Sequence, residues 1–372
     1  MNAVVGVPRE VKDDEHRVSL TPDGVRELVA ADVAVVVEAG AGRHSLVGDE
    51  EYRGAGAEVV ASASEVWERS TLVCKVKEPQ PEEYEWLRPG LGLFTFLHLA
   101  AYPELADALL DRQVTALAYE TVQLEDGSLP LLAPMSEVAG RMSVQVASNL
   151  LEAHNGGRGV LMGGAPGVRP ARVVVLGAGN VGWNAAWIAA GMEAEVLLFD
   201  RDLDRLRFVS QIYRGKIVTV ASNRGAIERA LGEADVLIGA VLVPGGRAPT
   251  LVTEDMVAGM RPGSVVVDIA VDQGGCVETT RETTHHDPTY FAHDVLHYAV
   301  GNMPGAVPNT STYALSNATL RYVVDVAVGG VAGAARADAA LARGVNTVAG
   351  AVTNPAVAEA LGKPHAPLAE VF

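Results

Sequence analysis

Cysteine is scarce: the 372 residues include two, Cys74 and Cys276. Two thiols cannot staple a chain of this length, so a disulfide scaffold is excluded and a reducing compartment, the cytoplasm, is expected. Each lies in or beside an apolar, strand-like run, where a buried small hydrophobe is the ordinary role. Basic charge is short as well. Lys and Arg total 29 against 46 Asp and Glu, a net charge of −17, and no Lys/Arg cluster offsets it. Such a chain repels phosphate backbones, which argues against nucleic acid and anionic membrane as partners. No apolar run approaches the roughly 20 residues that span a bilayer. The opening MNAVVGVPREVKDDEHR passes from a short apolar run into dense charge, unlike a secretory signal. No short repeat is present, so no solenoid is expected, and no metal is expected either.

What is present is a core. Hydrophobic residues make up 49% and charged residues 20%, which suits packed globular structure of two ordinary domains. Short β-branched runs alternate with helical stretches. The first part offers AVVGV, VAVVVEA, TLVCKV, LGLFTFLH and VTALAYE, with amphipathic segments such as DGVRELVAA between them. The middle part offers RVVVLG, EVLLFD, KIVTVA, DVLIGAV, SVVVDIAV and VLHYAV. Near-continuous Val/Ile/Leu runs fit parallel strands covered on both faces, and six of them match a dinucleotide fold. Two longer helices are expected to begin at Ser136, as N-cap, and at Ser311, and to join the two parts. The expected fold is therefore α/β, with two doubly wound, Rossmann-like parallel sheets, long connecting helices and a cleft between the domains.

The segment VVVLGAGNVGWNAAWIAAG contains Gly177-x-Gly179-x-x-Gly182 between an apolar strand and an Ala-rich helix. Gly177 allows the tight turn, Gly179 lets the backbone approach a pyrophosphate, and Gly182 lets the helix pack close. The helix N-terminus then faces negative charge. Asp200 ends the next strand, eighteen residues past Gly182, where a carboxylate meets the adenosine ribose and favours NAD over NADP. Residues 131–304 are thus expected to be an NAD-binding domain, inserted between residues 1–130 and 305–372, which form a substrate domain.

In open parallel sheets, ligands bind beyond the carboxyl ends of the strands. Polar residues there are Lys77, His98, Asp272 and Asn302, with Arg17 in the loop after the first strand. Each has an ordinary alternative: a solvated charge for Lys77, an ion pair with Glu15 for Arg17, a core imidazole for His98, a turn former for Asp272, a loop cap for Asn302. Together they suggest cations that grip a carboxylate and groups that move protons, the inventory of an amino- or hydroxy-acid dehydrogenase.

The segments GVPREVKDDEHRVSLTPDGV, KVKEP, LFTFLHLAA, AYETV, LLAPMSEVAGR, VVLGAGNVGWNAA, GAVLVPG, VDIAVDQGGC and NMPGAVPNTSTYAL, with the Gly-rich stretch 156–168, carry a resemblance over nearly the whole chain. The sequence resembles the L-alanine dehydrogenases, relatives of the NAD-binding subunit of proton-translocating transhydrogenase. The resemblance implies reversible NAD-dependent oxidative deamination of L-alanine to pyruvate and ammonium, by hydride transfer to nicotinamide C4. It implies Arg17 and Lys77 as substrate-binding residues and His98 and Asp272 as the catalytic pair. It places Ser136, Asn180, Asp200, Arg205, Ser222, Leu242, Ile269, Val300, Asn302 and Met303 along the NAD site, with Met135 at the nicotinamide. It also implies a homohexamer. Departures are modest: Asp14 where Asn is typical, Ser19 for Ala, Glu193 for Gly, and Arg205 where relatives often carry Lys. The rival within the resemblance is a transhydrogenase subunit, and a non-catalytic NAD sensor is a third reading.

Overall fold

The structure, a computed structural model, describes residues 3–213, 215–241 and 248–372; the side chains of Asp272 and Gln273 lie outside that description. The chain divides into two compact units. One comprises Met1–Met135 and Val307–Phe372, the other Ser136–Ala306.

Along the chain, the first unit begins with strands β1 (Val4–Val7), β2 (Ala34–Glu38), β3 (Glu58–Val60), β4 (Leu72–Cys74), β5 (Gly92–Thr95) and β6 (Thr115–Ala118). The second unit holds β7 (Arg172–Leu176), β8 (Glu195–Asp200), β9 (Ile217–Ala221), β10 (Val236–Gly239), β11 (Val265–Asp268), β12 (Thr289–Ala292) and β13 (Val295–Tyr298). The chain then returns to the first unit with β14 (Val345–Val348) and β15 (Ala351–Val352). The sheet orders are β15-β14-β6-β5-β4-β1-β2-β3 and β12-β13-β11-β10-β7-β8-β9.

Read outward from its first strand, each sheet contains the same six-strand parallel arrangement, 3-2-1-4-5-6. Antiparallel strands extend one edge of each: β14 and β15 beside β6, and β12 beside β13. The expected doubly wound α/β class is what is found. The six runs foreseen in the middle of the chain are β7, β8, β9, β10, β11 and β13. The short strands β3, β12, β14 and β15 were not foreseen. Central strands such as β4, β10 and β11 are buried along their whole length, as two covered faces require. Both cysteines are free and buried. Burial pushes the Cys74 thiol up to about 12.

The long helices start earlier than expected. The first is Ala133–Leu150 and the second Pro308–Ala337. A proline is tolerated in a first helical turn, whose N–H groups have no intrahelical partner, so Pro134 and Pro308 lie inside the helices instead of preceding them. Ser136 and Ser311 are consequently helical residues and not caps. Pro308–Ala337 is interrupted at Gly330, whose φ is 65°. By length and a mean hydropathy of 1.3 it meets the criteria for a bilayer span, which corrects the expectation that no segment does. Its hydroxyls are engaged inside the first unit: Thr312 Oγ1 accepts the Val18 N–H at 3.0 Å and Ser316 Oγ the Thr21 N–H at 3.2 Å.

Candidate active site

In the first unit, β1, β4 and β5 are neighbours in the sheet, and the segments leaving their carboxyl ends carry Arg17, Lys77 and His98. Arg17 is 3% exposed. Its Nε and Nη2 donate to the two oxygens of Glu15 at 2.6 and 2.5 Å, and its Nη1 lies 2.9 Å from Met135 Sδ. The local ion pair considered for Arg17 therefore exists, as a buried two-point clamp that fixes the guanidinium plane. Burial would raise the Glu15 carboxyl; Arg17, its hydrogen bonds and the Lys77 ammonium outweigh it and hold the pKa at about 2.

Lys77 is half-buried. Its backbone is tied down: the N–H donates to Glu10 Oε2 at 3.3 Å, and the carbonyl accepts from Thr95 Oγ1 at 2.9 Å. Among the described residues its ammonium makes no hydrogen bond or ion pair. Burial, and then the charge of Arg17, lower its pKa, with Glu15 opposing. Beneath it, fully buried Lys75 bridges Glu83 at 2.9 Å and Glu10 at 3.2 Å. Glu10 also accepts the Val76 N–H at 2.6 Å. Burial raises Glu10 to about 7 against the pull of Lys75.

The His98 side chain is 39% exposed, so it is not a core imidazole. It lies three residues past β5 in a left-handed conformation with φ 48°. Glu120, in the turn after β6, accepts the His98 N–H at 2.6 Å and the Leu97 N–H at 3.2 Å.

In the second unit the glycine turn behaves as its spacing requires. Gly177 has φ 102°, and a Cβ there would lie 2.5 Å from the Ala240 carbonyl oxygen. A Cβ on Gly182 would lie 1.8 Å from the Gly177 carbonyl oxygen. Both positions exclude any side chain. Gly179, which precedes the helix Asn180–Gly191, is different: its Cβ would meet nothing nearer than Arg205 Nη1 at 3.7 Å. The chain itself does not demand glycine there, whereas a group approaching the backbone from outside would. Asp200 is buried; its Oδ2 accepts the Ala178 N–H at 2.6 Å and its Oδ1 the Asp202 N–H at 2.8 Å. Each oxygen retains a lone pair for a hydroxyl donor. Arg205 is exposed, 4.0 Å from Asp200 and 3.5 Å from Asp202. Ser222, Arg201, Arg224, Thr250 and Met256 line a neighbouring cavity of about 350 Å³.

Of the other expected cofactor residues, Ser136 and Ile269 are half-buried and Asn180 is exposed at the head of its helix. Val300 and Met303 are buried, and Asn302 has φ 59°. Leu242 lies outside the described residues. Asp272 belongs to the short helix Ile269–Gln273, and its side chain is likewise outside the description. That turn is anchored by buried Asp268, whose carboxylate accepts the N–H groups of Ala270, Cys276 and Val277 at 3.1, 2.9 and 3.1 Å. Among the described residues no group of three His, Cys, Asp or Glu side chains is arranged to hold a metal ion.

The N-terminal domain model of the alanine dehydrogenase/PNT family matches residues 6–139, and its C-terminal domain model matches residues 143–355. The chain belongs to this family. Alanine dehydrogenase of Bacillus subtilis is 53% identical over 365 residues, covering 98% of this chain and 96% of that one. The alanine dehydrogenase of Methanococcus maripaludis is 52% identical over 365 residues, covering 98% of both chains. A solved L-alanine dehydrogenase superposes with a TM-score of 0.94 at 51% identity, covering 96% of this chain and 99% of that one. A transhydrogenase from Sinorhizobium meliloti shares the fold, with a TM-score of 0.80 at 24% identity and coverage of 95% and 99%.

Sequence reasoning about this family member missed Glu10, Lys75 and Glu120, all of which act across strands. Glu120 had one visible signal, its place in AYETV beyond the end of a strand. Gly140 was also missed: a Cβ there would lie 2.2 Å from the Val181 carbonyl oxygen, so the helix Ala133–Leu150 packs backbone-close on the helix that follows the glycine turn.

Proposed function

We propose that this chain is an NAD-dependent L-alanine dehydrogenase, interconverting L-alanine and water with pyruvate and ammonium. The observation that carries the reading is identity above 50% along nearly the entire length of several alanine dehydrogenases. The glycine turn supports NAD as the cofactor, because Gly179 is open on the side where a pyrophosphate would lie and Asp200 offers carboxylate oxygens to a ribose diol. When bound, NAD supplies the hydride acceptor at nicotinamide C4. In this reading residues 131–304 hold the cofactor, and residues 1–130 with 305–372 bind substrate and do the proton work.

Arg17, oriented by Glu15, binds the substrate carboxylate. Lys77, a half-buried cation with its ammonium uncommitted, binds the carboxylate or the 2-oxo group. The substrate amine must be neutral before Cα loses hydride, because an ammonium cannot stabilise the positive charge that develops there. His98 accepts that proton, and later exchanges protons with the water that attacks the iminium carbon and with the departing ammonia. Asp272 shares this work. Ser136, Asn180, Arg205, Ser222, Leu242, Ile269, Val300, Asn302 and Met303 line the cofactor site. A homohexamer in the cytoplasm, with no nucleic-acid or membrane partner, completes the reading.

A panel of 2-oxo acids with NADH, with and without ammonium, tests it. NADH consumption that requires both pyruvate and ammonium is expected. Consumption that requires only an NADP-loaded partner protein would establish the transhydrogenase reading, which shares the fold and the glycine turn. Binding of NADH without turnover of any 2-oxo acid would establish the sensor.

A further inference from the structure

His98 is held by two backbone hydrogen bonds and a ring contact. Its N–H donates to Glu120 Oε1 at 2.6 Å, and its carbonyl accepts the Ala101 N–H at 2.8 Å. Its ring lies parallel to Phe96, 2° between planes and 5.7 Å between centroids, and Phe96 in turn meets Tyr119 edge-on at 5.2 Å. Its Nδ1 is 3.9 Å from Glu120 Oε1. Among the described residues no hydrogen bond reaches the ring, so Nε2 is uncommitted. The backbone conformation is one that a non-glycine residue adopts at a cost of about 1–3 kcal/mol unless its surroundings fix it. Here the Glu120 carboxylate on one side and the Ala101 N–H on the other do so. The carboxylate takes the N–H groups of both Leu97 and His98.

We infer that Glu120 is a positioning residue for His98: its carboxylate fixes the left-handed turn and faces Nδ1, so that Nε2 is the nitrogen presented for proton transfer. The inference rests on the reading of His98 as the proton-transfer group. At 3.9 Å from Nδ1 the carboxylate lies beyond hydrogen-bond distance, so it acts on the ring by holding the backbone that carries it, with Nδ1 on its own side. Glu120 can serve both the backbone and the ring because it arrives from the neighbouring strand, β6, in the turn Tyr119–Thr121. Tyr119, fully buried beside it, anchors that turn.

The test is a double-mutant cycle on single-turnover NADH oxidation with pyruvate and ammonium, using Glu120→Gln, His98→Ala and the pair. Glu120→Gln is expected to lower the rate by about 10- to 100-fold, part of the 10²–10⁴-fold typical of acid–base assistance. KM for pyruvate and the Kd for NADH should move by less than about threefold, since neither is bound by Glu120. In the His98→Ala background the same substitution should cost nothing further, because there is no imidazole left to orient. Glu120→Asp, which keeps the charge, should recover part of the rate, and it replaces Glu120→Gln in the cycle if the amide variant does not fold. Equal losses in both backgrounds, or a Glu120 variant with full turnover, would overturn the positioning role and leave His98 catalysis intact. Full activity in His98→Ala would instead overturn the reading on which the inference rests.

Discussion

The two units share one strand arrangement and spend its first connection differently. In the second, β7 passes through residues 177–179 directly into the helix Asn180–Gly191. In the first, β1 is followed by residues 8–21 before the helix Pro22–Ala30, and that loop brings in Glu10, Lys12, Glu15 and Arg17. Pro22 at the first helical turn and Thr21 as cap, accepting the Gly24 N–H at 3.3 Å, close the second helix end internally. The short turn leaves a helix N-terminus with no side-chain cap; the long one fills the corresponding place with ionic side chains. On the proposed function, the fold supplies a sheet edge, and the length and chemistry of one loop decide whether it takes a cofactor or a small acid.

The largest effects separate the units by function. His98→Ala should reduce the turnover of pyruvate by about 10²–10⁴-fold. NADH binding, followed by fluorescence, should be unchanged. Equal damage to both would mean that the charged strand ends of the first unit are not a separate chemical station. The glycine turn sharpens the comparison from the other side. Gly182→Ala forces a Cβ against a carbonyl oxygen and should destabilise by the upper end of about 1–3 kcal/mol, read as a lowered Tm. Gly179→Ala meets nothing inside the chain and should leave Tm alone while weakening NADH on the order of tenfold, or about 1.4 kcal/mol. Identical behaviour of the two alanine variants would remove the argument that Gly179 is kept for a ligand.

Lys77→Ala should raise KM for pyruvate and lower turnover together, by about tenfold each. In the native enzyme the grip is charged only below the Lys77 pKa, which burial and Arg17 depress. KM for pyruvate should therefore begin to climb at a lower alkaline pH than a free lysine would give, and Lys77→Arg should flatten that limb. The smallest effects lie in stability. Glu15 is held near 2 when folded, so its contribution is complete above about 4.5 and fades as pH falls through about 2. The Tm gap between the native chain and Glu15→Gln should narrow over that window. Glu10 has the opposite sign. Raised to about 7, it favours the folded state below about 4.5 and ceases to as pH rises through about 7. Glu10→Gln should gain on the native chain as pH climbs from 4.5 to 7.

What was legible in the sequence follows from the range of each interaction. The glycine turn and Asp200 were readable because they recur at a fixed spacing between a strand and a helix, and no side chain fits at Gly177 or Gly182. The central parallel strands were readable because burial on both faces leaves a continuous apolar run. β3, β12 and β15 span two to four residues each, too few for a period to register. Arg17, Lys77 and His98 could be named from strand ends and from resemblance, yet nothing near them in sequence announces Glu120, which reaches the His98 N–H across more than twenty residues. Lys75 looked like part of a strand and proved to be a buried cation between two carboxylates. The helices start ahead of Ser136 and Ser311 because Pro134 and Pro308 serve as first-turn residues.

The most direct measurement follows one atom. NADH carrying deuterium at both C4 positions of the nicotinamide is incubated with the enzyme, pyruvate and ammonium, and the amino acid formed is analysed by mass spectrometry and NMR. The account predicts L-alanine carrying deuterium at Cα, formed in step with NADH consumed. Deuterium appearing in lactate, or nowhere outside the starting cofactor, would contradict it.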